Sequence, residues 1–497
     1  MAIPFIEGKE DLEIKVKCGL TFSVPNDISL ITPYVLLEQE DWFELEAPFV
    51  RSLLKEGMNV LDIGTNYGLY GLCAAKQVGP GGKVYCFEPS IVCTRHLNKT
   101  IAANKLANVE IIQKGLSNFV GTTSFRVEDN TELNQFVDSP AGDANVEIIE
   151  VTTLDVSDEE LGWPEIDFVK MDAEGQEKNI LEAGERFFLK HSPLVMYELK
   201  HGTDINTDLI EAFEAIGYRN YRLVPGARVL IPFNKNERID GFQLNLFACN
   251  ASRSRQLKEM GLLIESFDSA QDKPAGEDYW REYFDAFPYA AMLQPHWDKY
   301  IAAKGTEDSW ANMKAALNAF ASYKRTEANP ELAVSSLFKS LEILLQEADQ
   351  RPGFAILMSL SRVALEAGEQ ELALTALSNL YEALSGGASM GVFQPFLLPL
   401  ARYDKIDPVD KLESWIMSSI VEAREKYSSF SSYYTAGSTY PELKQLTESR
   451  LCSGEMIRRR SLMELASGKH EKEKVVERVN RFDNESKNSA LWQAILS

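Results

Sequence analysis

Short apolar runs rich in β-branched residues alternate with longer helical stretches over the first half of the chain. The runs that predict strands are Met58–Ile63, Lys83–Phe87, Val109–Gln113, Ile166–Met171 and Leu194–Leu199. Strands that alternate with helices in this way are typical of a parallel sheet with helices on both faces. The pattern therefore predicts an α/β fold for this half of the chain.

Two further pairs of runs interrupt the alternation. Gly121–Val127 and Val146–Leu154 predict a β-hairpin inserted at the edge of the sheet, with the turn-forming residues 140–143 between them. Tyr218–Val224 and Gly241–Cys249 predict an antiparallel pair that closes the sheet. We therefore expect a mostly parallel sheet with a hairpin insert and an antiparallel end.

The pattern changes near residue 250. The residues that follow are polar and predict a linker, and beyond it helical periodicity dominates, as in Pro330–Gln346, Phe354–Ala367 and Gln370–Leu384. The turns at Asn329–Ala333 and Gly368–Ala373 resemble those of tetratricopeptide repeats, so degenerate repeats and an irregular helical domain both fit. The predicted divisions are an N-terminal segment (1–44), an α/β domain (45–250), a linker (251–280) and an α-helical domain (281–497).

The composition and charge of the chain limit the classes of partner that it can bind. The net charge of −23 argues against a nucleic-acid partner, which needs Lys and Arg to neutralise phosphates. No apolar stretch approaches the roughly 20 residues of a membrane helix, so we expect no membrane insertion. The six cysteines contain no C-x-x-C pair, which predicts neither a zinc site nor a disulfide framework and favours a cytoplasmic location.

A glycine-rich turn follows the first predicted strand. Asp62 lies at the end of that strand, and Gly64 and Gly68 follow it. Gly64 lets a ligand approach the backbone closely, and Gly68 permits close helix packing. The glycines stand four residues apart, unlike the G-x-G-x-x-G of dinucleotide enzymes. The acid before them suits the amino-acid end of S-adenosylmethionine better than a diphosphate.

A second acid, Glu88, follows twenty residues after Gly68, at the end of the second predicted strand. A carboxylate at this place can accept hydrogen bonds from both hydroxyl groups of a ribose. Each motif alone is weak, but the two acids at this spacing in one strand–helix–strand unit predict a cofactor site.

Several sequence blocks resemble a known family. The blocks are Asp62–Gly68, Phe87–Pro89, Gly115–Asn118, Val151–Asp155 and Lys170–Gly175. Over about residues 45–250 they resemble FkbM-type methyltransferases. The resemblance implies a Rossmann-like fold with a seven-stranded sheet, S-adenosylmethionine as the cofactor, and methyl transfer to a hydroxyl group of a sugar or natural product. Ala173 stands where the family commonly has valine, and the helical half lies outside the resemblance.

The motifs and the resemblance together assign a set of residues to the cofactor. These are Asp62, Gly64, Asn66, Gly68, Glu88, Ser117 and Asp172. The resemblance also suggests that the acidic and aromatic segment Asp41–Glu46 lies over the cofactor, although the start of an amphipathic helix explains it equally well. No metal ligands are assigned.

The candidate catalytic residues follow two later strands. Asp172 and Glu174 lie two residues apart, so in an extended stretch they point the same way. They are candidates to orient a sugar hydroxyl, to ligate a divalent cation or to hold the sulfonium end of the cofactor, while Glu174 is also a candidate cap for the next helix. His201 is the first candidate for the base that takes the hydroxyl proton, with Asp172 as the competitor. Glu198 is a candidate to orient His201 or to contact the substrate.

The sequence therefore predicts an S-adenosylmethionine-dependent O-methyltransferase that acts on a sugar, a glycan or a related metabolite. Its helical domain is a candidate surface for a protein partner. The alternative is a non-catalytic scaffold with a vestigial cofactor site, but such a protein is expected to lose Asp62, Gly64 or Glu88, and all three are present.

Overall fold

The structure is a computed structural model that describes residues 6, 8–137, 145–201, 204–267, 279–305, 307–326, 329–390, 394–408, 411–435, 438–468 and 486–496. The predicted turn at residues 140–143 and much of the predicted linker lie outside the described residues. Within the described ranges, no helix has both the length and the apolar character needed to cross a membrane.

The strands fall into one large sheet and three smaller ones. In chain order they are β1 (Asp11–Lys15), β2 (Thr21–Pro25), β3 (Val60–Ile63), β4 (Val84–Phe87), β5 (Val109–Ile112), β6 (Gly115–Leu116), β7 (Gly121–Arg126), β8 (Gln135–Phe136), β9 (Val146–Thr152), β10 (Phe168–Met171), β11 (Leu194–Glu198), β12 (Lys200–His201), β13 (Asp204–Ile205), β14 (Arg219–Val224), β15 (Val229–Pro232) and β16 (Asn245–Cys249).

The large sheet has the strand order β15-β14-β16-β11-β10-β3-β4-β5. The five strands from β11 to β5 run parallel, and β16, β14 and β15 pair antiparallel, which confirms the predicted mostly parallel Rossmann-like sheet. Every residue of β3, β4 and β10 is buried, as expected for strands covered on both faces. The sheet has eight strands rather than the seven expected, because Val229–Pro232 adds a strand beyond β14.

The predicted hairpin insert is real, but its expected place at the edge of the main sheet is wrong. β7 pairs antiparallel with β9 in a separate four-stranded sheet of order β6-β9-β7-β8. A small core of Phe125, Ile149 and Val151 holds this sheet together. We call this sheet, with its connecting residues 115–152, the insert.

Helices flank the sheet and then make up most of the second half. They are α1 (Ile31–Gln39), α2 (Glu46–Leu53), α3 (Gly71–Val78), α4 (Ile91–Asn104), α5 (Leu154–Leu161), α6 (Glu177–Glu182), α7 (Glu185–His191), α8 (Thr207–Ala215), α9 (Ala251–Glu259), α10 (Tyr279–Phe284), α11 (Ala290–Lys304), α12 (Asp308–Arg325), α13 (Pro330–Gln350), α14 (Phe354–Ala367), α15 (Gln370–Ser385), α16 (Leu412–Tyr427), α17 (Tyr440–Glu448), α18 (Gly454–Ala466) and α19 (Ser489–Leu496).

The three predicted helices of the second half match α13, α14 and α15 closely. Local chemistry explains their ends: the side chain of Asn329 caps α13 just before Pro330, and Gly368 ends α14 with a φ of +84°. Their apolar faces join one large core with strands β14 and β15. The repeat-like character of these helices stays a prediction, as do the proposed domain boundaries.

The two ends of the chain pack together. Leu12, Ile14 and Phe22 of the N-terminal strands share a hydrophobic cluster with Ile457, Leu462 and Trp492 from the C-terminal helices. The N-terminal segment and the last helices therefore stabilise each other, a non-local arrangement that the sequence pattern did not indicate.

No disulfide framework was predicted, and the described residues contain one disulfide bond. Cys18, in the loop between β1 and β2, is disulfide-bonded to Cys73 of α3. A separation of 55 residues in sequence carries no recognisable pairing signal, so only the fold brings these two thiols together.

Candidate active site

A cavity of about 600 Å³ opens at the carboxyl ends of the parallel strands. Open α/β sheets bind their ligands at this edge. Four parts of the chain line the cavity: the N-terminal segment, the ends of the sheet strands, the insert, and a short stretch that follows α16. The volume is within the range of about 300–1,000 Å³ typical of small-molecule sites.

The glycine turn after β3 forms one wall. At Gly64, with a φ of +71°, an added Cβ would lie 1.7 Å from the backbone oxygen of Asp172. The strands β3 and β10 therefore approach so closely that only glycine fits here. Gly68 has a φ of +88° and packs against the side chains of Leu72 and Leu97, and it does not line the cavity itself.

Asp62 has one carboxylate oxygen in use and one without a partner. Its Oδ2 accepts a hydrogen bond of 2.8 Å from the backbone N–H of Gly71. Its Oδ1 is buried and has no hydrogen-bond partner within the described part of the chain. Burial raises the pKa of Asp62, against the opposing effect of the Lys170 ammonium. An unpaired buried acceptor fits a ligand donor such as the ammonium group of the predicted cofactor.

Glu88 is fixed at the end of β4. Its Oε2 accepts from the backbone N–H of Asn66 at 2.7 Å, and its Oε1 accepts from Ser90 at 2.8 Å. Each oxygen keeps a further lone pair for a ligand hydroxyl. Burial raises the pKa of Glu88 to about 7. Asn66 holds the left-handed conformation with a φ of +50°, and its Oδ1 accepts a hydrogen bond from Thr131 of the insert at 2.9 Å.

The insert lines the part of the cavity beyond Glu88. Leu116, Phe125 and Phe136 form an apolar surface, and Asn134 lies beside it. The Oδ1 of Asn134 accepts from the backbone N–H of Glu128 at 2.8 Å, while its Nδ2 is buried without a partner among the described residues. Ser117 does not line the cavity, because its hydroxyl is buried and donates to Gln176 at 2.9 Å.

Carboxylates crowd the opposite part of the cavity. Asp172 forms an ion pair of 2.7 Å with Lys170. Glu174 has a φ of +48°, a conformation that is costly for a residue with a side chain and that concentrates at functional sites. Burial, reinforced by the nearby charge of Asp172, raises the pKa of Glu174 to about 8 and that of Glu198 to about 10.

Two further acids belong to this group. Glu177 does not line the cavity, and it accepts hydrogen bonds from the backbone N–H groups of Ala173 and Gly175. One oxygen each of Asp172, Glu177 and Glu198 lie within 4.8 Å of one another, a spacing that a metal ion can bridge. Glu44, whose pKa is raised by burial, accepts a short hydrogen bond from the hydroxyl of Tyr70.

The structure brings most of the predicted site residues to this cavity. Those that line it are Asp62, Gly64, Asn66, Glu88, Asp172, Glu174 and Glu198. His201 lies in the short strand β12, but its side chain lies outside the described residues, so its role as the base stays a prediction. Trp42, Phe43 and Glu44 also line the cavity, and the suggestion that their segment lies over the cofactor stays a prediction.

Other lining residues had no sequence signal. Asn134 and Phe136 belong to an insert whose position was predicted wrongly, and Asn245 begins β16 opposite Glu198. Phe430 and Tyr434 come from the helical half, where aromatic residues are ordinarily core residues. Only the fold shows that these positions face the cavity.

A family model matches the central part of the α/β half. Residues 62–223 match the family model described as the methyltransferase FkbM domain. No curated protein matches the chain.

Three solved structures illustrate the similarity. A methyltransferase FkbM from Methylobacillus flagellatus is 17% identical with a TM-score of 0.27, and the match covers 39% of this chain and 44% of that one. A SAM-dependent methyltransferase from Aquifex aeolicus is 18% identical, with a TM-score of 0.23 and coverages of 44% and 91%. A SAM-dependent O-methyltransferase from Thermotoga maritima is 14% identical, with a TM-score of 0.26 and coverages of 48% and 77%.

The match to the Methylobacillus protein spans less than half of that protein's length. The family-model match, by contrast, begins at Asp62 and includes Glu88, Asp172 and Glu198. Residues 62–223 are therefore similar to the methyltransferase FkbM domain family.

Proposed function

We propose that the chain transfers a methyl group from S-adenosylmethionine to a hydroxyl group of a sugar, a glycan or a related small metabolite. One observation carries this proposal: a single cavity contains the acids suited to the cofactor, Asp62 and Glu88, and a separate group of carboxylates around Glu174. A site for the donor thus lies beside groups that can accept the proton of a hydroxyl.

The residues at the cofactor end fit S-adenosylmethionine. The unpaired Oδ1 of Asp62 is available for the ammonium group, and the two oxygens of Glu88 are available for the ribose hydroxyls. The sulfonium group supplies an already electrophilic methyl group when the cofactor is bound. The protein therefore has to align the acceptor and remove its proton, rather than activate the donor.

Glu174 is our candidate for the base. Asp172 is already engaged in an ion pair with the Lys170 ammonium. The pKa of Glu174 is raised to about 8, so its carboxylate is a stronger base than an ordinary one and becomes deprotonated just above neutral pH. Glu198, whose pKa is raised further, holds its proton at neutral pH and can donate a hydrogen bond to the acceptor. We rank His201, the first candidate from the sequence, second, because its side chain lies outside the described residues.

Titration calorimetry with S-adenosylhomocysteine tests the cofactor part of the proposal. We expect micromolar binding by the wild-type protein and at least about tenfold weaker binding by Glu88→Ala, because a charged acceptor is lost. Glu147→Ala, which removes an exposed glutamate of the insert, is the matched control and should bind normally. A folded protein that binds no S-adenosylhomocysteine would contradict the proposal and favour the scaffold alternative.

A further inference from the structure

We propose that Phe430 and Tyr434, which lie outside the methyltransferase domain, form the acceptor-binding wall of the cavity, and that this wall takes the face of a sugar ring. The inference rests on the proposed function and names the residues and the chemistry that select its acceptor. We call residues 429–435, which follow α16, the wall segment.

Both aromatic residues reach the cavity. The ring of Phe430 lies 5.3 Å from that of Phe43 and 5.7 Å from that of Phe242, measured between ring centroids. Phe43 in turn lies 4.5 Å from Trp42, which also lines the cavity. Tyr434 lines the cavity while 49% of its surface stays exposed, which places it at the mouth. The rings of Trp42, Phe43 and Phe430 thus form one aromatic cluster in the cavity, and Tyr434 lines the same cavity nearer to solvent.

Hydrogen bonds hold the wall segment against the N-terminal segment. The side-chain amide of Gln39 donates to the backbone oxygen of Phe430 at 2.6 Å. The backbone N–H of Ser432 donates to Glu38 at 3.1 Å, and its hydroxyl is hydrogen-bonded to the same carboxylate. The hydroxyl oxygen of Ser432 also lies 2.9 Å from the hydroxyl oxygen of Tyr34.

A buried ion pair fixes the same carboxylate from the other side. Arg459 of α18 contacts Glu38 at 3.0 Å, and both side chains are 0% exposed. The same guanidinium contacts Glu425 of α16 at 3.3 Å. Glu38 is therefore a shared anchor for the wall segment and for the C-terminal helices.

The wall segment also contacts the loop before α1 and the insert. The hydroxyl of Tyr433 donates to the backbone oxygen of Ser29 at 2.9 Å, and the side-chain amide of Asn130, in the insert, donates to Tyr433 at 3.2 Å. Contacts on three sides hold the segment in one arrangement before any ligand arrives. A site that is ordered in advance loses less conformational entropy on binding.

The aromatic wall and the carboxyl groups across the cavity together favour one class of ligand. The wall offers aromatic faces, whose negative electrostatic potential suits the C–H groups on one face of a sugar ring. Across the cavity, Glu44, Glu174 and Glu198 offer carboxyl oxygens that accept hydrogen bonds from hydroxyl groups. A ring with an apolar face and polar edges satisfies both surfaces at once, and it brings a hydroxyl group towards the candidate base.

The test measures binding and transfer with a panel of methyl glycosides as probes. Variants are Phe430→Leu, which removes the ring but keeps an apolar side chain, and Tyr434→Ala, with Tyr434→Phe as the conservative variant. Tyr300→Ala, on α11 and away from the cavity lining, is the control. Glycoside binding is followed by saturation-transfer NMR, methyl transfer with radiolabelled S-adenosylmethionine, and folding by thermal melts.

For Phe430→Leu and Tyr434→Ala we expect KM for the glycoside to rise about fivefold to tenfold, the size of a lost aromatic contact. We expect kcat and the affinity for S-adenosylhomocysteine to change by less than about twofold, and Tyr434→Phe to behave as the wild type. The control should change none of these quantities.

An unchanged KM for the glycoside in both variants overturns the inference. A loss of affinity for S-adenosylhomocysteine as large as the rise in KM also overturns it, because the wall would then bind the cofactor. A wild-type protein that binds S-adenosylhomocysteine but no glycoside overturns it as well, and leaves the cofactor site intact. Failure to bind S-adenosylhomocysteine overturns the proposed function instead, and the NMR titration then still tests the wall on its own.

Discussion

The two ends of the cavity are built in different ways. The end that we propose for the cofactor, the cofactor end, is lined mainly by Asp62, the glycine turn and Glu88, which lie within one strand–helix–strand unit. The end that we propose for the acceptor, the acceptor end, is lined by residues of Trp42–Glu44, Asp172–Glu198 and Phe430–Tyr434, which are far apart in sequence. The first end therefore needs one local unit to fold correctly, whereas the second needs the whole chain.

This difference indicates a separate structural role for the helical half. Its wall segment completes the cavity, and its last helices share a core with the N-terminal strands. On the proposed function, the α/β domain can thus keep the general features of its cofactor site while distant segments select the acceptor. Substitutions at the two ends of the cavity should affect cofactor binding and acceptor binding separately.

The largest effect is expected from Arg459→Ala. The change leaves Glu38 and Glu425 buried without their shared cation, which should lower the free energy of unfolding by about 3–5 kcal/mol. Urea denaturation measures the loss. The matched control is Arg238→Ala, which breaks an ion pair whose arginine is 83% exposed and should cost no more than about 0.5 kcal/mol. Equal stability of the two variants would show that the ion pairs of Arg459 do not hold the N-terminal segment to the C-terminal helices.

At the cofactor end, Asp62→Ala should weaken binding of S-adenosylhomocysteine by about 1.5–3 kcal/mol, the range for a lost charge-assisted hydrogen bond. Titration calorimetry gives the affinity. Glycoside binding, which depends on the other end, should be unchanged. Normal affinity for S-adenosylhomocysteine would assign Asp62 a purely structural role through its bond to Gly71.

A smaller effect is expected from Asn134→Asp in the insert. The variant keeps the oxygen that accepts from Glu128 but replaces the unpaired Nδ2 donor with an acceptor. We expect S-adenosylhomocysteine to bind about 0.5–1.5 kcal/mol more weakly, because a donor that can reach the cofactor is lost. Asn118→Asp, at an exposed position of the same insert, should leave the affinity unchanged. If both variants bind alike, the insert encloses the cofactor without recognising it.

A pH-dependent effect is expected at Glu174. Its pKa is raised from 4.5 to about 8 in the folded protein, so the folded state holds this proton more tightly than the unfolded state. The stability from this group is complete below pH 4.5 and is lost as the pH rises towards 8. Glutamine does not titrate, so Glu174→Gln does not lose this stability as the pH rises. The Tm of the variant minus the Tm of the wild type should therefore increase by about 2–4 °C between pH 5 and pH 8.

Differential scanning calorimetry at the two pH values measures this difference. Glu147→Gln is the control, because Glu147 is exposed and its substitution should give a constant difference. A Tm difference for Glu174→Gln that stays flat with pH would argue against a strongly perturbed carboxyl group at the acceptor end.

Sequence patterns predicted the parallel strands and α13 to α15 well, because strand and helix periodicities are local properties. They did not predict β15, a four-residue strand that pairs with β14 across a tight turn, or the separate sheet of the insert. The pairing of Cys18 with Cys73 was missed because 55 residues separate the two cysteines and only the fold brings them together. Among the site residues, Asp62, Gly64 and Glu88 were recognisable because each stands at a fixed place relative to a predicted strand.

The sequence by itself thus determined the α/β class, the glycine turn and the two acids of the cofactor end, since residues close in the chain carry all of these features. The tertiary structure alone decided that Asn134, Asn245, Phe430 and Tyr434 face the same cavity as those acids. It also decided that Arg459 anchors the N-terminal segment. The physical reason is that such contacts depend on how whole elements pack, and packing joins residues whose sequence separation leaves no local pattern.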